Sequence, residues 1–376
     1  MKRKVLVVFG TRPEAIKMVP VIYALKEASD AFEFATCVTA QHREMLDQVL
    51  ELFGVTPDFD LNLMRANQSL EQITSLVIHG VGQVCAEYKP DVLLVHGDTT
   101  TTFAASLAAF YNRVPVGHVE AGLRTWNKSS PWPEEMNRCL TGALSSLHFA
   151  PTEQARQNLI KENVSEDRID VTGNTVIDAL LHIAQRIDGD ARLTQKLESE
   201  FPSVDWSKRI VLVTGHRREN FGKFEGICKA LEELAGRPDV EILYPVHLNP
   251  NVRIPVFKCL ENVPGVHLCD PVEYLTFTFF MMKATLILTD SGGVQEEAPS
   301  LGKPVLVMRD KTERPEAIEK GTALLVGVEP DSILQAANRL LDDPDAYAAM
   351  AKAHNPFGDG RAAHRIITRL RNEESL

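Results

Sequence analysis

Acidic side chains follow two of the apolar runs in the first half of the chain. Asp98 and Glu120 each end such a run, and Glu134 follows the stiff turn at 131–133. Carboxylates close together at the carboxyl edge of one sheet raise one another's pKa values, which suits acid–base catalysis. Each acid taken alone could equally be a helix cap or a loop charge, so the group as a whole carries the prediction.

A second set of residues could bind a phosphorylated ligand. An apolar run ends just before Ser291, Gly292 and Gly293, and a helical pattern begins at once. The two glycines let a ligand approach the backbone, and the N–H groups of a first helical turn suit a diphosphate. Glu297 could then accept hydrogen bonds from a ribose. A helix capped by its serine after a tight turn would give the same sequence.

Cationic side chains lie at similar turns. Arg12 stands where the first strand passes into a helix, His216 precedes two arginines at a second such point, and Arg314 follows a later strand. All three could reach phosphate oxygens, and a solvated arginine or a structural histidine is the alternative at each position. No histidine spacing is typical of a metal site, so we predict none.

The elements that position these residues alternate between strand and helix. Short Val/Ile/Leu runs followed by helical periodicity predict parallel sheets covered on both faces, hence an α/β fold. The two halves open alike, which predicts two doubly wound, Rossmann-like domains. We place the first at 1–180 with the acid–base carboxylates, the second at 181–360, and at 361–376 a helix that crosses back to the first. Ligands of such folds bind beyond the carboxyl ends of the strands, so we expect them in a central cleft that both domains face.

Composition restricts the function. A net charge of −11 argues against a nucleic-acid partner and favours a small anionic ligand. No apolar stretch approaches the ~20 residues that cross a bilayer. Six scattered cysteines suit reduced thiols in a cytoplasmic enzyme. No Gly-x-Gly-x-x-Gly or P-loop pattern is present, so we expect neither a nicotinamide cofactor nor ATP hydrolysis.

Long motifs across nearly the whole chain resemble one family. The sequence is similar to the non-hydrolysing UDP-N-acetylglucosamine 2-epimerases, which have the GT-B architecture. The stretches that carry the resemblance are FGTRPEAIK at 9–17, TAQHREMLDQVL at 39–50, HGDTTTT at 96–102, HVEAGLRT at 118–125, PWPEEMNR at 131–138, TGNTVIDAL at 172–180, GHRREN at 215–220, YPVHLNPNV at 244–252, LTDSGGVQEEAPSLGKPVLV at 288–307, TERPE at 312–316 and NPFGDG at 355–360.

The resemblance implies reversible conversion of UDP-GlcNAc to UDP-ManNAc without a cofactor. UDP leaves C1 by anti elimination as the C2 proton is lost, a 2-acetamidoglucal stays bound, and UDP returns while C2 is reprotonated on its other face. Proton transfer on both faces calls for more than one acid–base group. The product would supply ManNAc-derived precursors for bacterial surface polysaccharide.

The resemblance also implies roles for named residues. The catalytic set would be Asp98, Glu120, Glu134 and His216, with no division of acid and base among the carboxylates. The substrate and UDP would contact Arg12, Lys17, Arg138, Phe279, Ser291, Gly292, Gly293, Glu297 and Arg314. UDP-GlcNAc would also act as an allosteric activator at Gln41, His42, Gln68, Arg217 and His247. A homodimer packed through the first domain is expected.

Three other functions fit parts of the sequence. A GT-B glycosyltransferase would share the diphosphate site but would leave the carboxylate motifs unexplained. A hydrolysing epimerase would release ManNAc with UDP, and sequence separates it imperfectly. A nucleotide-sugar sensor without catalysis should have lost one of the catalytic residues, and Asp98, Glu120, Glu134 and His216 are all present.

Overall fold

Two compact units make up the chain. The structure, a computed structural model, describes residues 2–40, 43–63 and 68–373. One unit comprises Met1–Ala179 with Phe357–Leu376, and the other comprises Leu180–Pro356. No helix in the described ranges is long and apolar enough to cross a membrane.

The sheet of the first unit is parallel, and its strand order is β3-β2-β1-β4-β5-β6-β7. Its strands are β1 (Arg3–Phe9), β2 (Phe32–Val38), β3 (Phe59–Asp60), β4 (Val92–His96), β5 (Val116–Val119), β6 (Leu147–Ala150) and β7 (Ile169–Val171). The order reverses between β1 and β4, so the loops after these two strands diverge at the carboxyl edge. Such a switch point is where ligands of doubly wound folds bind.

The helices that surround this sheet begin at the same edge. They are α1 (Arg12–Glu27), α2 (Arg43–Leu52), α3 (Leu70–Tyr88), α4 (Thr100–Tyr111), α5 (Glu134–Leu144), α6 (Glu153–Lys161), α7 (Thr175–Asp188), which continues into the second unit, and the last helix of the chain, α16 (Ala362–Asn372). The start of α1 shows how local sequence fixes this geometry. Thr11 caps it, and Glu14 completes a capping box by accepting the Thr11 N–H at 2.7 Å. Arg12 and Lys17 are thereby held in the first turns of a helix that begins at the carboxyl edge.

The second unit repeats the design with strand order β10-β9-β8-β11-β12-β13, again all parallel. Its strands are β8 (Arg209–Thr214), β9 (Val240–Pro245), β10 (Val266–Cys269), β11 (Ala284–Thr289), β12 (Val305–Val307) and β13 (Ala323–Leu325). Its helices after α7 are α8 (Ala191–Ser199), α9 (Phe224–Ala235), α10 (Pro250–Leu260), α11 (Tyr274–Lys283), α12 (Gly292–Glu297), α13 (Pro315–Glu319), α14 (Pro330–Asp342) and α15 (Pro344–Ala351). Here the switch point lies between β8 and β11. The predicted α/β class with two Rossmann-like domains is confirmed.

The end of the chain packs within the first unit. The Asp178 carboxylate accepts the first N–H groups of α16, at 3.2 and 2.9 Å, and the apolar face of that helix is buried. Upstream, Gly173 has a φ of +86°, and a β-carbon there would lie 3.2 Å from the α-carbon of Gly358. The adjacent Asn174 donates its N–H to the Phe357 carbonyl. The final segment thus supports the turn that carries Asn174.

Candidate functional site

Glu120 is the most constrained acid of the first unit. It follows β5 with a φ of +62°, a conformation rare outside glycine. Its Oε1 forms an ion pair with Lys17 and accepts a hydrogen bond from the Asn174 amide at 2.9 Å. Its Oε2 lies 3.4 Å from Nε2 of His96, the last residue of β4. Groups from three elements therefore fix this carboxylate at the edge of the sheet.

Asp98 lies after the neighbouring strand, β4, and is paired with Arg138 of α5. Asn137 donates its side-chain amide to the Asp98 carbonyl at 3.0 Å. Burial raises the pKa of Asp98 above its ordinary value, and the Arg138 guanidinium opposes that rise. The two acids, each beside its own cation, stand on adjacent strand ends, so the structure brings Asp98, Glu120, Lys17 and Arg138 together.

Glu134 is placed by the start of α5, where it is the first helical residue and half-buried. The next residue, Glu135, is buried and accepts the N–H groups of Thr125 and Trp126 at 2.8–3.0 Å. Its Oε2 also lies 3.4 Å from Nη1 of Arg138. Glu135 therefore fixes the loop that connects Glu120 to Glu134.

Asp290 anchors the carboxyl edge of the second unit. Its fully buried side chain follows β11 and accepts the N–H groups of His216 and Arg217 at 2.9–3.0 Å. It also accepts the Asn220 amide at 3.1 Å. Because a buried carboxylate must be paired, this arrangement fixes the loop after β8 on the end of β11.

His216 is held on two sides. Its Nδ1 lies 3.4 Å from the Asp290 carboxylate, and its ring stacks on that of His247 with centroids 5.7 Å apart. Burial lowers the pKa of His216 despite the Asp290 charge, and the nearby Arg217 and His247 add to the lowering. Burial therefore favours the neutral imidazole.

Two guanidinium groups converge on Gly292. A β-carbon at that glycine would lie 3.5 Å from Nη2 of Arg217 and 3.8 Å from Nη2 of Arg314. Arg314 is held there by an ion pair with Glu296. The Ser291 side chain makes no capping hydrogen bond to α12, so the alternative of a serine-capped helix does not hold. Ser291, Gly292 and Gly293 thus border a cationic corner of the second unit.

The predicted contact of Phe279 with a uracil is not supported by the position of this ring. Phe279 is fully buried, and its centroid lies 5.1 Å from that of Trp206. Tyr274, in the first turn of the same helix, donates its hydroxyl to Glu297 at 3.0 Å. Phe277, one turn after Tyr274, is only partly buried. The helix phase therefore turns Phe277 and not Phe279 to the side that carries Glu297.

The predicted effector residues are distributed over both units. Gln41 and His42 lie outside the described residues. Gln68 belongs to the first unit and donates its amide to the Leu63 carbonyl at 3.0 Å. Arg217 and His247 belong to the second and are grouped with His216.

Three residues of these edges were not predicted as site residues from the sequence: His96, Asn174 and Asp290. Glu135 was considered there together with Glu134, as an acid after the turn at 131–133. The three are polar side chains at the ends of strands or the starts of helices. Their positions within the quoted motifs were the only available signal, because their roles depend on contacts with distant parts of the chain.

Comparison with known proteins relates the whole chain to one group. The family model described as UDP-N-acetylglucosamine 2-epimerase matches residues 24–371. UDP-N-acetylglucosamine 2-epimerase of Escherichia coli K12 is 59% identical over 371 residues, which cover 98% of each chain. The Yersinia pestis protein of that name is 59% identical over 373 residues, 99% of each chain.

A solved structure adds the fold. UDP-GlcNAc 2-epimerase from Neisseria meningitidis, bound to UDP-GlcNAc, superposes with a TM-score of 0.89 at 52% identity, over 98% of this chain and 100% of that one. Such a match over both units confirms the predicted GT-B fold class. This chain belongs to the UDP-N-acetylglucosamine 2-epimerase family.

Proposed function

We propose that this chain reversibly epimerises UDP-GlcNAc at C2 to give UDP-ManNAc, acting in the cytoplasm to supply precursors of surface polysaccharide. The observation that carries the proposal is the pair of carboxylates at the carboxyl edge of the first sheet, after β4 and β5 and next to the switch point. Asp98 and Glu120 stand on adjacent strand ends, each beside a cation from another element. Membership of the epimerase family gives this arrangement its chemistry.

The reaction begins with loss of the C2 proton to one carboxylate. The C2–H electron pair forms the C1=C2 bond of a 2-acetamidoglucal as the C1–O bond breaks, and UDP takes the charge. UDP then attacks C1 again while an acid on the other face returns a proton to C2. Asp98, Glu120 and Glu134 are the acid–base candidates, because transfer on two faces needs at least two positioned groups.

UDP binding is assigned to the carboxyl edge of the second unit. The Arg217 and Arg314 guanidiniums near Gly292 would face the diphosphate, and His216 would stabilise the charge on the departing UDP. Phe277 replaces Phe279 as the ring proposed to pack on the uracil. Glu297, oriented by Tyr274, would accept from the ribose. Arg12 at the start of α1 would add positive charge.

Two further features of the proposal concern regulation and assembly. UDP-GlcNAc would activate the enzyme through Arg217 and His247, together with Gln41, His42 and Gln68. A homodimer would form through the first unit, and exposed rings on α4 support this, since Phe110 is 59% and Tyr111 67% exposed. Sedimentation of the wild type and of Phe110→Glu tests it, because the charge should yield monomers.

Proton NMR of UDP-GlcNAc with the protein in D₂O tests the activity. UDP-ManNAc should appear with deuterium at C2 of both sugars, and Asp98→Asn and Glu120→Gln should lose the exchange while remaining folded. UDP-ManNAc without deuterium would overturn the elimination route. Free ManNAc would point to a hydrolysing enzyme, and binding without turnover to a transferase or a sensor.

A further inference from the structure

His96 is a buried imidazole for which the proposed reaction has so far given no role. It is the last residue of β4 and is only 3% exposed. Within the described ranges, neither of its ring nitrogens has a hydrogen-bond partner. A polar side chain buried in this way costs stability unless a partner is present or arrives during function.

The ring is directed at Glu120. Its Nε2 lies 3.4 Å from Oε2 of that carboxylate, slightly beyond a formed hydrogen bond. The residue after His96, Gly97, has a φ of +70°, and a β-carbon there would lie 3.4 Å from the same Oε2. Catalytic hydrogen bonds are often long without substrate and shorten when it binds. His96 is therefore placed to donate to Glu120 after a small movement of either side chain.

The other oxygen of the carboxylate is already held. Lys17 and Asn174 both donate to Oε1 of Glu120, from α1 and from the turn before α7. These two contacts fix the position of Oε1. A donor at Oε2 would fix the plane and thus the direction in which Glu120 exchanges its proton.

We propose that His96 is a positioning residue for Glu120, and that its neutral imidazole donates from Nε2 to Oε2 when substrate binds. The proposal rests on the acid–base role of Glu120 proposed above. Burial lowers the pKa of His96 to about 4, against the opposing charge of Glu120, so the ring is a neutral donor at working pH. Unlike a second lysine, such a donor holds the carboxylate without adding charge.

The charges around Glu120 set the expected pH dependence. Within the described ranges, the side chains that face it include Lys17 from α1, His96 from β4, Asn174 before α7 and, more remotely, Asp98 after β4. Lys17 and the His96 donor favour the ionised form of Glu120, whereas Asp98 disfavours it. Removing the neutral donor should therefore move the acid limb of the rate profile to higher pH, by about one unit if one hydrogen bond is lost.

The experiment compares wild type, His96→Leu and His96→Gln by the rate of deuterium entry at C2 across pH 5–9. His96→Leu should lower kcat about 10–100-fold, leave KM nearly unchanged and move the acid limb to higher pH. His96→Gln, which keeps a neutral donor, should recover most of the rate and return the acid limb close to its wild-type position. Equal losses in both variants with an unmoved limb would show a purely structural role and overturn the proposal. So would full activity in His96→Leu.

A second measurement does not depend on the folding of any variant. Nitrogen NMR of histidine-labelled wild type with UDP-GlcNAc should show His96 neutral, with its proton on Nε2, down to pH 5. A charged ring, or a proton on Nδ1, would overturn the proposal. Wild type that shows no exchange at C2 would instead refute the proposed function, so the two failures are distinguishable.

Discussion

Replacing Asp290 with asparagine tests whether the edge of the second unit is built on this one side chain. The carboxylate receives the N–H groups of His216 and Arg217 and the amide of Asn220, and it is fully buried. An asparagine has almost the same shape but replaces one acceptor oxygen with an NH₂ donor. The NH₂ group would take the place of Oδ1, so the His216 N–H would face another donor there while Oδ2 still accepts it. All three donors would then bind a neutral amide oxygen in place of a carboxylate.

The expected cost follows from those contacts. A hydrogen bond to a charged group contributes about 1.5–3 kcal/mol and one between neutral groups about 0.5–1.5 kcal/mol, so each of the three donors should lose about 1 kcal/mol. We therefore expect the free energy of unfolding of the second unit to fall by about 3 kcal/mol, which lowers its thermal midpoint by roughly 6–12 °C. His216 should lose its fixed position as well, and kcat should fall about 10–100-fold, because small misplacements near the reacting atoms are costly.

Calorimetry measures the thermal midpoint, and the C2 exchange assay measures kcat, for Asp290→Asn and for a matched control. Asp310→Asn makes the same chemical change at a side chain that is 77% exposed and 3.9 Å from Lys223. It should shift the midpoint by no more than about 1 °C, as exposed pairs contribute little. If Asp290→Asn is destabilised but keeps the wild-type kcat, Asp290 serves folding alone and our account of His216 is refuted.

Three further predictions concern the uracil contact, two buried histidines and the last helix of the chain. Phe277→Leu should weaken UDP binding about tenfold in titration calorimetry, whereas Phe279→Leu should lower thermal stability and leave UDP affinity unchanged; the reverse pattern would restore the uracil contact to Phe279. Burial lowers the pKa of His118 to about 3 and that of His148 to about 4. The stability they confer is present above the unfolded value near ~6.5 and is lost as pH falls toward those values, by about 2 kcal/mol each at pH 5. His148→Gln should therefore flatten the fall of the thermal midpoint between pH 8 and 5, and an unchanged slope would contradict the assignment. In a chain truncated after residue 360, the first unit should be unfolded at 37 °C, because α16 buries Ile366, Ile367 and Leu370. A truncated chain that is stable and active would contradict this prediction.

The short, continuous Val/Ile/Leu runs were sufficient to predict the central strands. The run at 5–9 lies within β1, that at 92–96 is β4, and that at 286–289 lies within β11. The strands that were not predicted are short, such as β3 with two residues and β13 with three. A segment of that length shows no periodicity of its own. It becomes a strand only because a neighbouring strand forms backbone hydrogen bonds with it.

The residues of the candidate site likewise fall into those that sequence could predict and those that it could not. The rule that ligands bind at carboxyl ends of parallel strands indicated Asp98 and Glu120 from sequence alone, and the structure sets them on adjacent strands. Sequence could not indicate His96 or Asp290, because each acts on a residue far away along the chain. His96 contacts Glu120, 24 residues away, and Asp290 contacts His216, 74 residues away. Nor could sequence show that Phe279 is buried, because its neighbour Trp206 lies 73 residues away along the chain.

The two edges share a construction that explains why these buried groups matter. β4 and β11 occupy equivalent places, each beside the first strand of its unit on the far side of the switch point. Each ends in or is followed by a buried polar side chain, His96 or Asp290, placed against a reactive residue on a neighbouring loop. In the proposed reaction these residues act on different bonds, Glu120 on C2–H and His216 on C1–O. Substitution of Asp290 should therefore slow departure of UDP without moving the acid limb of the pH–rate profile, whereas substitution of His96 should move that limb. A variant at either position that had both effects would show that the two edges are not independent.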